Sequence, residues 1–321
     1  MTENAATNRL VRLGDVVGRW FIRRRAAETK TTEDQNYSDI IQSLAGGSKV
    51  IFISSFPRSG NTWVRYLLSD IFQQRAGMAT NTALTISPEK LIPDVYINPV
   101  AARERELTPG LFVKTHESFD RLKRRIPAAE LRRCRHIYII RSPEDSLVSF
   151  YYYHLRDQKL RDKVRRGKDV FCRARVRDWI SNAESYVRAA EEGADVLFVS
   201  YEILLDQTGP VLGRMLDWLE VEHRDSMVRR AVSNMQFGNM RMEEERGRPK
   251  GGEFGGRGGP GAGAAELKAE TLAHIRQVSA KVMSEVKRRL SRQDQALAKR
   301  PAPPPAEDIR EMRKIEAINA K

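Results

Sequence analysis

The sequence predicts an α/β protein built on a buried parallel sheet. Three observations carry that prediction. Four short apolar runs, Val50–Ile53, Leu111–Val113, His136–Ile140 and Val196–Val199, are rich in β-branched and aromatic residues and lack the polar alternation of a half-exposed strand. Stretches with helical apolar spacing alternate with these runs, the order expected of crossover-connected parallel strands. Hydrophobic residues make up 40% of 321, enough for one large core. The expected organisation is a basic extension over residues 1–46, one domain over 47–296, and a Pro-rich linker and tail over 297–321.

The extension places Leu10, Leu13, Val17 and Trp20 on one helical face, with Arg12, Arg19 and Arg23–Arg25 around them. Such a helix over residues 9–25 fits a membrane interface, a partner, or a groove on the main domain, and the pattern does not separate these. Lys+Arg outnumber Asp+Glu by 56 to 42, a net charge of +14, so anionic ligands are favoured: nucleotides, acidic glycans, nucleic acid or a membrane surface. No apolar run approaches the ~20 residues of a membrane-spanning helix, and no signal peptide is visible, so the cytoplasm is the expected compartment. Two cysteines, Cys134 and Cys172, make no disulfide framework, and no Cys/His spacing suggests zinc.

The first strand leads into Ser54–Asn61, where Pro57 and Gly60 turn the chain, and from Thr62 the residues Trp63, Tyr66, Leu67 and Ile71 recur at helical spacing. A strand, a small polar loop and a helix N-terminus form an anion cradle, to which Arg58 adds a planar fork of donors. A Walker loop is excluded by its spelling. Gly60 is followed by Asn61-Thr62 rather than Lys-Ser/Thr, and position 55 is not glycine.

Residues 75–110 lose periodicity and carry Pro88, Pro93, Pro99 and Pro109, which suits a lid or binding wall. The second strand ends in Lys114-Thr115-His116; a histidine at a strand exit is either structural or placed for chemistry. Residues 121–135 are basic and read as helical. After the third strand, Arg141-Ser142-Pro143-Glu144-Asp145 starts a helix, with Ser142 as N-cap, Pro143 at the first turn and Asp145 completing a capping box. Ser149 falls on the face of Ser142, so Arg141 and Ser149 can flank one anion. Residues 151–195 read as helical and basic, a solvated face or a surface for an anionic acceptor. Phe150-Tyr151-Tyr152-Tyr153 read as packing beneath the sheet, and His154 ranks second to His116 as a base because it lies well inside a helix. The fourth strand ends in Ser200-Tyr201-Glu202. Residues 254–263 are glycine-rich, 266–296 return to a helical pattern, and Pro301–Pro305 favours polyproline conformation.

The string Pro57-Arg58-Ser59-Gly60-Asn61-Thr62-Trp63 resembles the 5′-phosphosulfate loop of the sulfotransferases. Lys114-Thr115-His116 is similar to that family's second-strand motif. Ile139-Ile140-Arg141-Ser142-Pro143, with Asp145, Ser149 and Tyr151, resembles its 3′-phosphate motif, and Tyr201-Glu202 its fourth-strand element. The resemblance runs from about Val50 to Leu272. It implies a three-layer fold like that of P-loop nucleotide kinases, helices covering both faces of the sheet. It also implies the donor 3′-phosphoadenosine 5′-phosphosulfate, the product adenosine 3′,5′-diphosphate, and no metal.

By the same resemblance, Arg58, Ser59, Gly60, Asn61, Thr62 and Trp63 hold the phosphosulfate and Lys114 the sulfuryl oxygens. His116 is the general base. Arg141 and Ser149 bind the 3′-phosphate, and Tyr201 contacts the adenine end. Arg257, Gly258 and Gly259 close over the nucleotide. Two departures stand out. Arg58 replaces the more common Lys and stays protonated, so it stabilises charge rather than donating a proton. Gly258 replaces a Lys and Gly261-Ala262-Gly263 replaces Gly-Asp-Trp, which puts donor affinity in doubt. A nucleotide or polyanion binder without turnover is therefore one alternative reading, and a P-loop-type kinase another. The acceptor, a small molecule or glycan with a hydroxyl or amine, has no readable code.

Overall fold

Residues 28–78, 84–100, 106–157, 160–235 and 260–298 are described in a computed structural model of the chain. The predicted helix over residues 9–25, the loop residues Arg257, Gly258 and Gly259, and the Pro-rich tail lie outside the described residues.

Four parallel strands form the sheet: β1 (Val50–Ser55), β2 (Leu111–Thr115), β3 (Arg135–Ile140) and β4 (Asp195–Ser200), in the order β2-β1-β3-β4. All six residues of β1 are buried, as expected of a strand covered on both faces. Alternate side chains feed two cores. Phe52, Val113, Tyr138 and Phe198 point to one face, where they meet α1 (Glu28–Ala45), α6 (Pro143–Arg156), α7 (Lys168–Glu191) and α12 (Ala269–Ala298). Ile53, Phe112, Ile139 and Val199 point to the other, against α2 (Asn61–Arg75), α9 (Thr208–Leu219) and α10 (Asp225–Asn234). Among the described residues the shorter helices are α3 (Pro88–Leu91), α4 (Phe119–Leu122), α5 (Ala128–Leu131), α8 (Tyr201–Asp206) and α11 (Ala262–Glu266), with a 3-10 helix at Arg161–Val164.

Tyr37, Ile40 and Leu44 of α1, which precedes the expected boundary at residue 47, are core residues. The structure corrects two expectations. Residues 121–135 are helical only in part: α4 ends at Leu122, α5 runs from Ala128 to Leu131 after Pro127, and Arg135 already belongs to β3. Residues 151–195 are likewise interrupted, α6 ending at Arg156 and α7 starting after Gly167.

Both edges of the sheet are covered. Beside β2, the Lys114 N–H bonds to the Pro93 carbonyl at 2.8 Å and the Val95 N–H to the Lys114 carbonyl at 3.0 Å, a one-rung extension of the sheet. Beside β4, the Gln293 side chain stands in for a strand: its amide donates to the Val196 carbonyl at 2.6 Å and its oxygen accepts the Phe198 N–H at 3.1 Å. The strand order reverses between β1 and β3, where parallel sheets open a crevice at their carboxyl ends.

Candidate active site

That crevice receives the two loops singled out by sequence, one after β1 and one after β3. In the first, Arg58 has φ 67° and Gly60 φ 97°. A non-glycine residue in this region costs about 1–3 kcal/mol and is held there only by its surroundings. Two left-handed residues within three turn the backbone inward and aim the start of α2 at the crevice. No side chain caps that helix end. Gly60 is required by contact as well as by φ: a Cβ there would lie 2.3 Å from the Tyr201 ring. Asn61 locks the base of the loop, its amide donating to the Ile53 carbonyl at 3.0 Å, the Ser55 hydroxyl at 3.2 Å and the Thr115 carbonyl at 3.3 Å. Ser59 is buried with its hydroxyl 3.3 Å from that of Ser146. Thr62 is half-buried at the first turn of α2. Trp63 packs edge-on to Tyr201 and donates its indole N–H to the Met235 carbonyl at 3.1 Å.

The second loop is joined to the first. The Arg58 Nε donates to Ser149 Oγ at 3.3 Å, and Arg141 Nη1 donates to the Arg58 carbonyl at 3.2 Å. The Arg141 guanidinium lies 4.6 Å from the centroid of the Tyr201 ring, a cation–π contact. Arg58, Arg141, Ser149 and Tyr201, which come from three separate segments, thus share one cleft.

The helix start after β3 is built differently from expectation. Ser142 makes no side-chain cap; instead its N–H donates to Glu202 Oε1 at 2.8 Å, and Ser200 Oγ donates to Glu202 Oε2 at 2.9 Å. Asp145 does not complete a capping box either. Its carboxylate accepts the N–H of Gly261 at 2.9 Å and of Gly263 at 2.7 Å, pinning the end of the glycine-rich segment to α6. Gly263 has no room for a Cβ, which would meet the Glu144 carbonyl carbon at 2.5 Å.

His116 stands just past β2, half-buried, with Nδ1 2.9 Å from the Ser55 carbonyl. A carbonyl only accepts, so Nδ1 carries the proton and the lone pair of the neutral ring is on Nε2. Desolvation and then the Lys114 ammonium push the imidazole pKa down to about 3, against the opposing pull of Asp94 and of the Ser55 carbonyl. Lys114 itself is buried and paired with the Asp94 carboxylate. Burial pulls its pKa down and the Asp94 charge offsets part of that. His154 is buried in α6, its Nδ1 on the Phe150 carbonyl at 2.9 Å and its ring among Phe150 and Phe171. That environment gives it a packing role.

Sequence reasoning missed Asp94, Glu202 and the true partner of Asp145. Each acts through a side-chain contact to another segment, which local spacing does not encode. Glu202 was visible beside Tyr201, but nothing marked it as the acceptor for Ser142.

Residues 48–287 match the family model of the sulfotransferase domain. Cytosolic sulfotransferase 7 of Arabidopsis thaliana is 28% identical over 186 residues, which are 53% of this chain and 56% of that protein. Flavonol 3-sulfotransferase of Flaveria bidentis is 23% identical over 217 residues, 62% of this chain and 68% of that protein. The chain spans 56% and 60% of the lengths of the first curated relatives it matches. Among solved structures, mouse sulfotransferase SULT7A1 complexed with PAP superposes with a TM-score of 0.53 at 16% identity, covering 83% of this chain and 95% of that one. Retinol dehydratase in complex with androsterone and inactive cofactor PAP gives 0.52 at 18%, covering 78% and 85%. These structural likenesses carry the fold, and with the family match over most of the chain the conclusion is that this protein belongs to the sulfotransferase domain family.

Proposed function

We propose that the chain transfers a sulfuryl group from 3′-phosphoadenosine 5′-phosphosulfate to a hydroxyl or amine, with His116 as general base. The observation that carries this reading is the Nδ1 contact of His116 with the carbonyl of Ser55, the last residue of β1, at 2.9 Å, which puts the lone pair of the neutral ring on Nε2. The residues present fit a nucleotide charged at both ends. Arg58 and the start of α2 suit its 5′ end, and Arg141 with Ser149 suits its 3′-phosphate. Arg58 and Ser149 are themselves in contact, so one ligand can span both. Tyr201 lies flat against Arg141, where an adenine would meet an aromatic wall.

When bound, the donor supplies a sulfuryl group whose bond to the 5′-phosphate oxygen breaks, with its electron pair, as the acceptor oxygen or nitrogen bonds to sulfur. The protein's own part is electrostatic and acid–base. Arg58, fixed by its φ and by Ser149, stabilises charge on the leaving phosphate without giving up a proton. Lys114 presents N–H donors to the sulfuryl oxygens. His116 accepts the acceptor's proton at Nε2 while Ser55 holds the ring, a contribution of roughly 10²–10⁴-fold. Exposed Arg165, Arg166 and Arg173 favour a polar or acidic hydroxylated acceptor, such as a glycan. A cytoplasmic setting suits this donor.

A labelled-donor screen across sugars, phenols, lipids and peptides tests the reading. Label should appear on at least one acceptor class, and His116→Ala should lower that transfer at least ~10²-fold while adenosine 3′,5′-diphosphate still binds. Transfer by the variant at the wild-type rate would remove His116 from the mechanism. Nucleotide binding with no transfer to any acceptor would favour a silent binder, the reading that Gly258 in place of a cation suggests.

A further inference from the structure

Asp94 belongs to the Pro-rich segment before β2, whose sequence carries no periodic signal. Its neighbours Pro93 and Val95 pair with Lys114 through backbone bonds of 2.8 and 3.0 Å, which seats the Asp94 side chain beside that of Lys114. The carboxylate meets the Lys114 ammonium through Oδ2, while Oδ1 accepts the Tyr96 N–H at 3.1 Å. Asn36 of α1 fixes the same turn, donating to the Val95 and Asn98 carbonyls at 2.9 Å each and accepting the Val100 N–H at 2.9 Å. The pair is buried, and the surrounding charges are cationic: Arg65 of α2, bonded to the Ile92 carbonyl at 2.6 Å, and Arg58 of the loop after β1, with the neutral imidazole of His116 alongside. Among the described residues that act on Lys114, Asp94 is the acid.

Resting on the donor reading above, we propose that Asp94 is a positioning residue for the sulfuryl end of the site, holding Lys114 charged and aimed beside His116. The physical case is a balance of three effects. Burial disfavours the ammonium, and Arg65 and Arg58 repel it; the Asp94 carboxylate opposes both. Without that carboxylate the opposing pull is gone, and the Lys114 ammonium gives up its proton at lower pH, to become a neutral amine as pH rises. It then loses its attraction for the sulfuryl oxygens and becomes a second base next to His116. The wall segment 84–100 is thereby tied to the catalytic strand by charge as well as by backbone pairing.

The experiment compares Asp94→Asn and Asp94→Glu with the wild type in the full chain, from pH 6 to 9. Calorimetry measures Kd for the phosphosulfate donor and for adenosine 3′,5′-diphosphate, and ¹³Cε NMR follows lysine titration. In the wild type the preference for the sulfated nucleotide should stay level across this range. In Asp94→Asn it should fade as pH rises, by at least tenfold at pH 9, while diphosphate binding stays as in the wild type. One lysine resonance should titrate at least one pH unit lower than in the wild type. Asp94→Glu, which keeps the charge, should restore both. An unchanged preference and unchanged lysine titration in Asp94→Asn would overturn the proposal. So would a parallel loss of both nucleotides with a fall in Tm and no change in pH dependence, the mark of a purely structural residue. Failure of the wild type to bind either nucleotide would overturn the donor reading, and with it this inference.

Discussion

His136 shows how one buried residue contributes to the pH dependence of this fold. It sits in β3, fully buried, stacked on Phe52 at 5.3 Å and edge-on to Phe119 at 5.0 Å, and neither ring nitrogen has a hydrogen-bond partner among the described residues. Desolvation pushes its pKa down to about 3. The unfolded chain, with an ordinary histidine near 6.5, therefore binds a proton that the folded chain refuses over the intervening range. The stability that depends on a neutral His136 is fully present above pH 6.5 and is lost as pH falls toward 3. Each unit in that window costs about 1.4 kcal/mol. Between pH 7 and 5 the unfolding free energy of the wild type should thus fall by about 2 kcal/mol more than that of His136→Phe. Urea unfolding at the two pH values measures the difference, and identical slopes would contradict the assignment. The sequence showed His136 only as part of an apolar run. Its isolation from polar partners needs the neighbours that β1, α4 and α7 bring to it.

At the level of elements, strand-terminal motifs were legible because each is a contiguous string whose chemistry survives any tertiary context. The loop after β1 was legible as the unbroken string from Pro57 to Trp63, within which Arg58 and Gly60 take left-handed backbone. The partners that hold the elements together were not legible, since they are distant in sequence. Asp145 reaches residues 116 and 118 positions away, and Gln293 reaches one 97 away. Reading Asp145 as a local cap was reasonable on spacing alone, but the carboxylate gains two N–H donors by turning to the segment at Gly261. Gln293 invites a direct test. Gln293→Ala leaves the Val196 carbonyl and the Phe198 N–H of β4 without their side-chain partner, which should cost about 1–2 kcal/mol in urea unfolding. A variant as stable as the wild type would show that solvent or a neighbour satisfies this edge equally well.

Across the whole molecule, topology converts separate motifs into one site. The order β2-β1-β3-β4 sets the carboxyl ends of β1 and β3 side by side, so the loops bearing Arg58 and Arg141 meet even though 83 residues separate them. The net charge of +14 adds a long-range field that draws in anions without specifying which. The central claim is that both loops grip one nucleotide, and calorimetry with adenosine 3′,5′-diphosphate tests it most directly. One molecule should bind per chain, and Arg58→Ala and Arg141→Ala should each weaken it by about 10–100-fold, the worth of a charge-assisted hydrogen bond. Adenosine 5′-monophosphate, which lacks the 3′-phosphate, should feel the loss of Arg58 but not that of Arg141. Absence of binding to the wild type, or a diphosphate affinity that survives Arg141→Ala intact, would contradict the account.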